Sequence, residues 1–399
     1  MHEQISLFLQ DRIDAGDFPS AVYLIAGKGE VIYKDALGHA VVEPEFIAAA
    51  CDTIYDLASL TKPLVTGLLA ALLIENGELK LDSVTRDFFR THGLDWRQTV
   101  TVGSLLSHTS DLPAWKPFYL NVHNPSDITE YILHTPLDAN KTAVTYSDLN
   151  FMLLSHIVMN RMCCPFDQVA RLNIFDPLGL TNTFFNPGRA LRSRIAASEK
   201  GNEYEKQTCI EQGYLSDWTA SIRDAEGSEK RPASAVPDSD GPPADASIQN
   251  AFRNYQIWGE VHDGNAYFMG GVAGHAGLFS TAEEIFKIAK QFLPNYTTIL
   301  KPKTCELFQT NFTKGMNEDR SFAFQLASSP ESTAGTNMAL ESFGHNGFTG
   351  TSLWIDPIKE RIFILLTNRT HNHPLPFINI NAVRRRFHDL AIDLLDQNS

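Results

Sequence analysis

The chain has 399 residues, 43% of them hydrophobic and 20% charged, the proportions of a folded globular protein rather than a disordered or fibrous one. At about 100 to 200 residues per domain, that length accommodates two subdomains. Its 47 acidic and 33 basic side chains give a formal net charge of −14, a field that repels nucleic-acid phosphates and anionic membrane surfaces.

In chain order, Ile5, Phe8, Leu9 and Ile13 fall at helical spacing and stop at Gly16, which predicts an amphipathic helix with a glycine end. Glu3, Asp11, Arg12 and Asp14 interrupt any signal-peptide core in the same stretch. A cytoplasmic protein is therefore expected from the sequence as given, or a periplasmic or extracellular one if a leader preceded it. Ala21 to Ala26 and Glu30 to Ala36 are β-prone runs joined across Gly27, Lys28 and Gly29, a hairpin signature. The longest apolar run, Leu64 to Ile74, spans 11 residues with Thr66 and Gly67 inside it, short of the roughly 20 that cross a bilayer.

Helical patterns follow over Leu64 to Glu78, Thr101 to His108, Ser126 to His134, Asp148 to Arg161 and Phe166 to Phe175. Residues 224–247 are rich in Gly, Pro, Ser, Asp and Ala and predict a flexible surface insertion. Ser280 with Glu283 has the spacing of a capping box, ahead of Ile285, Ile288, Ala289 and Phe292. Ser352 to Ile355 and Arg361 to Asn368 flank Pro357 as a second hairpin, and Val383, Phe387, Leu390, Ala391 and Leu394 stripe a closing helix whose Arg384, Arg385 and Arg386 read as a solvated face. The pattern predicts an α+β fold. Residues 1–75 and 296–399 would form an antiparallel sheet built from both chain ends and flanked by the terminal helices, with 76–295 as an inserted, mostly helical domain.

Five scattered cysteines without a C-x-x-C spacing read as reduced thiols, and His371 and His373 lack neighbouring acidic ligands, so no metal or cofactor is expected. Phosphate-loop, dinucleotide, zinc-protease and G-x-S-x-G motifs are absent from the sequence. Present instead is Ser59-Leu60-Thr61-Lys62 where a strand-like run meets a long helix. Residues three apart share a helix face, so the Lys62 amine would lie beneath the Ser59 hydroxyl. The tetrapeptide alone equally fits a capping serine followed by a solvated lysine. Two further elements accompany it: Tyr146-Ser147-Asp148 at a helix start, and His345-Asn346-Gly347 before the second hairpin.

In this order and spacing the three elements resemble the active-site motifs of the serine hydrolase superfamily of penicillin-binding proteins and class C β-lactamases, with its D-Ala-D-Ala carboxypeptidase and family VIII esterase relatives. Asp56 to Lys62, Leu105 to Leu112, Asp176 to Leu180, Gly270 to Ala282 and Gly344 to Pro357 look like further signatures of it, and only residues 224–247 lie outside the resemblance. The resemblance implies an active site between the two parts of the fold, with Ser59 as the acylated nucleophile, Lys62 as its proton acceptor or electrostatic partner, and Tyr146 as base and proton shuttle. It further implies an oxyanion hole of the Ser59 and Phe348 backbone N–H groups, and substrate contacts from Asp148, His345, Asn346, Gly347 and His275.

Two departures bear on the substrate. Asp148 replaces a common asparagine, which would hold Lys62 protonated and leave Tyr146 as the base. His345 replaces a lysine, and a histidine is mostly neutral at pH 7. Both favour a small carboxylic ester as substrate, with a D-Ala-D-Ala carboxypeptidase or β-lactamase as the alternative and a non-catalytic binding relative as a remote one. His108 reads as a buried, hydrogen-bonded scaffold residue, while Trp115, Phe118 and Tyr119 fit either the pocket mouth or ordinary packing.

Overall fold

The computed structural model describes residues 2–89, 99–137, 143–215 and 251–397; the insertion expected at 224–247 lies outside them. The described residues include ten strands: β1 (Ser20–Gly27), β2 (Glu30–Val41), β3 (Ile47–Ala48), β4 (Tyr55–Asp56), β5 (Phe184–Phe185), β6 (Leu278–Ser280), β7 (Gln325–Leu326), β8 (Phe343–Asn346), β9 (Ser352–Asp356) and β10 (Arg361–Thr367). Seven of them form one antiparallel sheet in the order β3-β2-β1-β10-β9-β8-β7. The two chain ends meet where Ala21 pairs with Thr367 and Gly27 with Arg361. Both expected hairpins are in this sheet, and the fold is α+β.

β1 is apolar along almost its whole length because both its faces are covered, and its side chains alternate between two cores. Ala21, Tyr23 and Ile25 pack with Ile5, Leu9, Val383 and Phe387 from the terminal helices His2–Asp14 and Asn381–Gln397. Val22, Leu24 and Ala26 pack on the other side with Leu64, Leu68 and Ile285. The segment Ala58–Glu75 is long and apolar enough to cross a bilayer, yet 78% of it is buried inside this second core. It starts as a tight turn at Ala58–Leu60, continues as a π-helical stretch Lys62–Gly67, and becomes α-helical over Leu68–Glu75.

The expected helices occur at Val102–Leu106, Ile128–His134, Asp148–Met162 and Phe166–Ala170. The cap before Ala282–Ala289 falls one residue later than the capping-box reading. Thr281 accepts from the Glu284 N–H at 3.3 Å, because Ser280 is already paired with Tyr55 in the sheet β4-β6-β5. That three-stranded sheet and helix Glu203–Glu211 were not foreseen. The strands of two and three residues are too short to show a period, and the helix buries only Glu205 and Cys209.

Several buried histidines are held neutral. His388 donates to the Thr333 carbonyl at 2.7 Å, but burial pushes its pKa down to about 3, and burial lowers His156 to about 4. Below the ordinary histidine pKa of about 6.5 the unfolded chain takes up protons that the native ring refuses, so stability falls as pH falls. Between pH 6.5 and 4.5, His388 alone is expected to cost about 2–3 kcal/mol. Urea midpoints measured at pH 7 and 4.5 should therefore separate more for wild type than for His388→Asn.

Candidate active site

Ser59 is delivered by a strained turn. Ala58 has φ +47°, a conformation that favours glycine, and its N–H is held by Asp56 Oδ1 at 2.9 Å while Asp56 Oδ2 accepts the His262 N–H at 2.7 Å. One turn on, the Lys62 side chain is fully buried, with Nζ 2.9 Å from Ser59 Oγ, 3.0 Å from the His275 carbonyl and 2.7 Å from Asp148 Oδ1. Burial by itself would push this lysine down. Asp148 opposes that and wins, so its pKa lies above the ordinary value and the amine stays charged.

Tyr146 stands over the same ammonium, its ring centroid 5.1 Å from Lys62 Nζ. Burial raises its pKa and the adjacent Lys62 only partly offsets this, so the phenol keeps its proton. Its buried hydroxyl has no well-aligned partner among the described residues. The His108 ring lies against the tyrosine ring, its centroid 4.6 Å away and its plane tilted by 33°, and its Nδ1 accepts the Ser147 N–H at 3.0 Å. The scaffold reading of His108 thus gains a location, directly against Tyr146.

On the opposite side, β8 brings His345 within 5.7 Å of the Tyr146 ring. Burial, reinforced by Arg320 and Lys62, holds His345 neutral, and its Nδ1–H donates to the Asn346 carbonyl at 2.9 Å. Gly347 follows, and a Cβ there would sit 2.0 Å from Thr351 Oγ1 and 2.5 Å from the Leu57 carbonyl. Only glycine lets the turn approach the Ser59 segment this closely. Among the described residues neither the Ser59 nor the Phe348 N–H is taken by a backbone carbonyl.

These groups line a cavity of about 620 Å³ together with Trp115, Tyr204, Glu205, Asp263, Arg320, Arg369 and Arg384. Ser59, Tyr146, Asp148, His345, Asn346, Gly347 and Phe348 all reach it. His275 does not, which corrects its assignment as a substrate contact. Its ring is fully buried, with Nε2 on Asp263 Oδ1 at 3.0 Å, and it meets Lys62 only through its carbonyl. Asp148 borders the cavity, but its carboxylate is engaged by Lys62. Asp148, Asp263 and His275 have ligand atoms within 4.8 Å of one another; the Lys62 ammonium already supplies the positive charge at Asp148.

Arg384 is a second correction: Arg386 is exposed as expected, but Arg384 is 5% exposed rather than on a solvated face. It donates to the Gly347 carbonyl at 2.8 Å and the Thr351 carbonyl at 3.0 Å. Arg369 Nε donates to the Phe348 carbonyl at 2.7 Å, its guanidinium 4.8 Å from the Phe348 ring centre. Among the described residues neither arginine has a carboxylate partner. The cavity lining also includes the acidic residues Glu205 and Asp263. Glu205 accepts from Tyr119 and from the Gly264 N–H, and burial together with Asp263 pushes its carboxyl up to about 7. Of the three aromatic residues considered for the mouth, Trp115 lines the cavity, Phe118 is core, and Tyr119 backs Glu205.

A family model described as Beta-lactamase matches residues 6–385. A protein of Escherichia coli (strain K12) named "Putative D-alanyl-D-alanine carboxypeptidase" is 27% identical over 400 residues, covering 92% of this chain and 82% of its own. Among solved structures, EstCE1, a hydrolase with promiscuous acyltransferase activity, has a TM-score of 0.69 at 20% identity, over 97% of this chain and 98% of that one. A class C beta lactamase from Rhodobacter sphaeroides has a TM-score of 0.65 at 16% identity, over 98% and 99%. At such identities the two structures speak for the fold. With the family match spanning nearly the whole length, the chain belongs to the beta-lactamase family of serine hydrolases.

Proposed function

We propose that the chain hydrolyses a small ester or amide through an acyl-enzyme on Ser59. The observation that carries this is the buried Lys62 ammonium bridging Ser59 Oγ and Asp148. Because Lys62 is charged and Tyr146 keeps its phenolic proton, the proton moves by relay. Ser59 Oγ attacks the carbonyl carbon and gives its proton to the Tyr146 oxygen while Tyr146 passes its own to the leaving oxygen or nitrogen. The bond to the leaving group then breaks. Water attacks the acyl-enzyme by the same relay, giving its proton through Tyr146 back to Ser59 and releasing the carboxylic acid. Lys62 stabilises negative charge on the two oxygens, and the Ser59 and Phe348 N–H groups stabilise the oxyanion.

The neutral His345 supports an uncharged group beside Tyr146, in keeping with a small carboxylic ester. A second reading, a carboxypeptidase or β-lactamase type of substrate with its own carboxylate, is supported by Arg369 and Arg384, which give the cavity the fixed cations that the missing lysine would have supplied. The name of the Escherichia coli relative points the same way. An acyl compound carrying a carboxylate satisfies both observations, and we favour it.

Intact mass spectra of wild type and Ser59→Ala with a penicillin, alongside absorbance of the β-lactam ring, separate the readings. A lasting adduct on wild type alone is expected for a peptidase-like site, and ring loss without one for a β-lactamase. Neither result would leave the uncharged ester, to be tested with short-chain nitrophenyl esters. A second prediction concerns charge. Lys62 must stay protonated, so the wild-type kcat/KM should hold to high pH, and Asp148→Asn should bring its alkaline limb down by roughly 1–3 pH units. An unchanged limb would show that Asp148 does not set the lysine charge.

A further inference from the structure

Arg384 is costly where it lies. A guanidinium that is nine-tenths buried without a carboxylate partner pays desolvation without the usual return. Burial and the nearby Arg369 both press its pKa down, and its Nε is buried without any partner among the described residues. Its Nη1 donates to Asn381 Oδ1 at 2.9 Å, which fixes the side chain, and Nη2 is aimed at two carbonyls of a single turn. One of these carbonyls, Gly347 C=O, belongs to the same peptide unit as the Phe348 N–H. The next peptide unit is held by Arg369 through the Phe348 carbonyl.

We propose that Arg384 is a positioning residue of the oxyanion hole: its guanidinium orients and polarises the Gly347–Phe348 peptide so that the Phe348 N–H becomes a stronger donor toward the reacting carbonyl oxygen. A charge-assisted hydrogen bond on an amide oxygen draws electron density from the nitrogen and strengthens what its N–H can donate. In a water-poor site such preorganisation acts in the transition state, where the oxyanion charge appears. The turn is tied down on its other side too, by Thr349 Oγ1 on the Asp56 carbonyl at 2.7 Å and Thr351 Oγ1 on the Leu57 carbonyl at 3.1 Å. The Ser59 and Phe348 donors are thereby braced against one another. The inference rests on the serine hydrolase reading of the cavity and on Phe348 as an oxyanion donor.

Arg384 also lines the cavity, where it could meet a substrate carboxylate, and an uncharged substrate isolates its action on the peptide. With a short-chain nitrophenyl ester lacking any carboxylate, Arg384→Met is expected to lose about 10-fold or more in kcat, less than the 10²–10³ of deleting a donor outright, with KM nearly unchanged. Arg384→Lys should recover part of the loss. Gly347–Phe348 is the one Gly-Phe step in the sequence, so carbonyl-13C glycine with 15N phenylalanine labels this peptide uniquely. In Arg384→Met its carbonyl and amide-proton resonances should both move upfield, with the remaining spectrum showing that the variant is folded. Unchanged resonances, or a loss confined to KM for carboxylate-bearing substrates, would overturn the proposal. If wild type neither turned over an ester nor reacted with a penicillin, the hydrolase reading would fail separately, and the resonances would still decide what Arg384 does to the peptide.

Discussion

A primary ammonium with no exposed surface is the constraint around which this site is organised. Lys62 cannot be buried charged without partners, and those it has are Ser59 one turn away and two groups distant in the chain, Asp148 at the start of another helix and the His275 carbonyl. The third contact depends on close backbone packing. Thr66 Oγ1 holds the Gly274 carbonyl at 2.6 Å, and a Cβ at Gly274 would lie 2.3 Å from the Phe151 carbonyl. Anything that loosens this packing leaves the lysine short of an acceptor. The helix of Tyr146 and Asp148, the glycine-rich run and the Ser59 turn therefore stand or fall together.

A second cation braces the facing wall. Arg384 reaches the turn after β8 from the last helix, whose apolar residues Val383 and Phe387 pack in the core with β1 and β10. Sheet packing thus sets where the helix starts, and the helix start sets where the guanidinium reaches. Between these walls the cavity lining carries both arginines and carboxylates, and His345 is neutral.

Most of the fold was legible because its signals are local. β-prone runs flanking turn residues gave the hairpins β1-β2 and β9-β10, and helical stripes gave the terminal helices. The clustering of Ser59, Lys62 and Tyr146 was legible only through the resemblance, since nothing in the spacing of residues 62 and 146 demands contact. Arg384 was misread because periodicity tells which side of a helix is apolar, not which neighbouring turn lies within reach of a long side chain. His275 was misread for a related reason: glycine-rich sequence signals close approach of the backbone, and here the approaching group is the carbonyl of His275 while its ring turns away to Asp263. Glu205 and Asp263 offered no motif, and their place on the cavity wall follows from tertiary structure alone.

The pairing of β1 with β10 has a consequence during synthesis. The Ser20 N–H bonds to Asn368 Oδ1 across a separation of 348 residues, and Asn368 Nδ2 reaches on to the Ala40 carbonyl at 3.0 Å. Until residues 361–368 have left the ribosome, β1 lacks a partner along one edge, and its apolar side chains have only part of either core to enter. Contacts of such span make folding slow and leave an open strand edge in the nascent chain. The same delay withholds β8 and the helix Asn381–Gln397, so the emerging polypeptide carries Ser59 and Lys62 long before the wall opposite them exists, and the pocket is complete only once that helix has emerged.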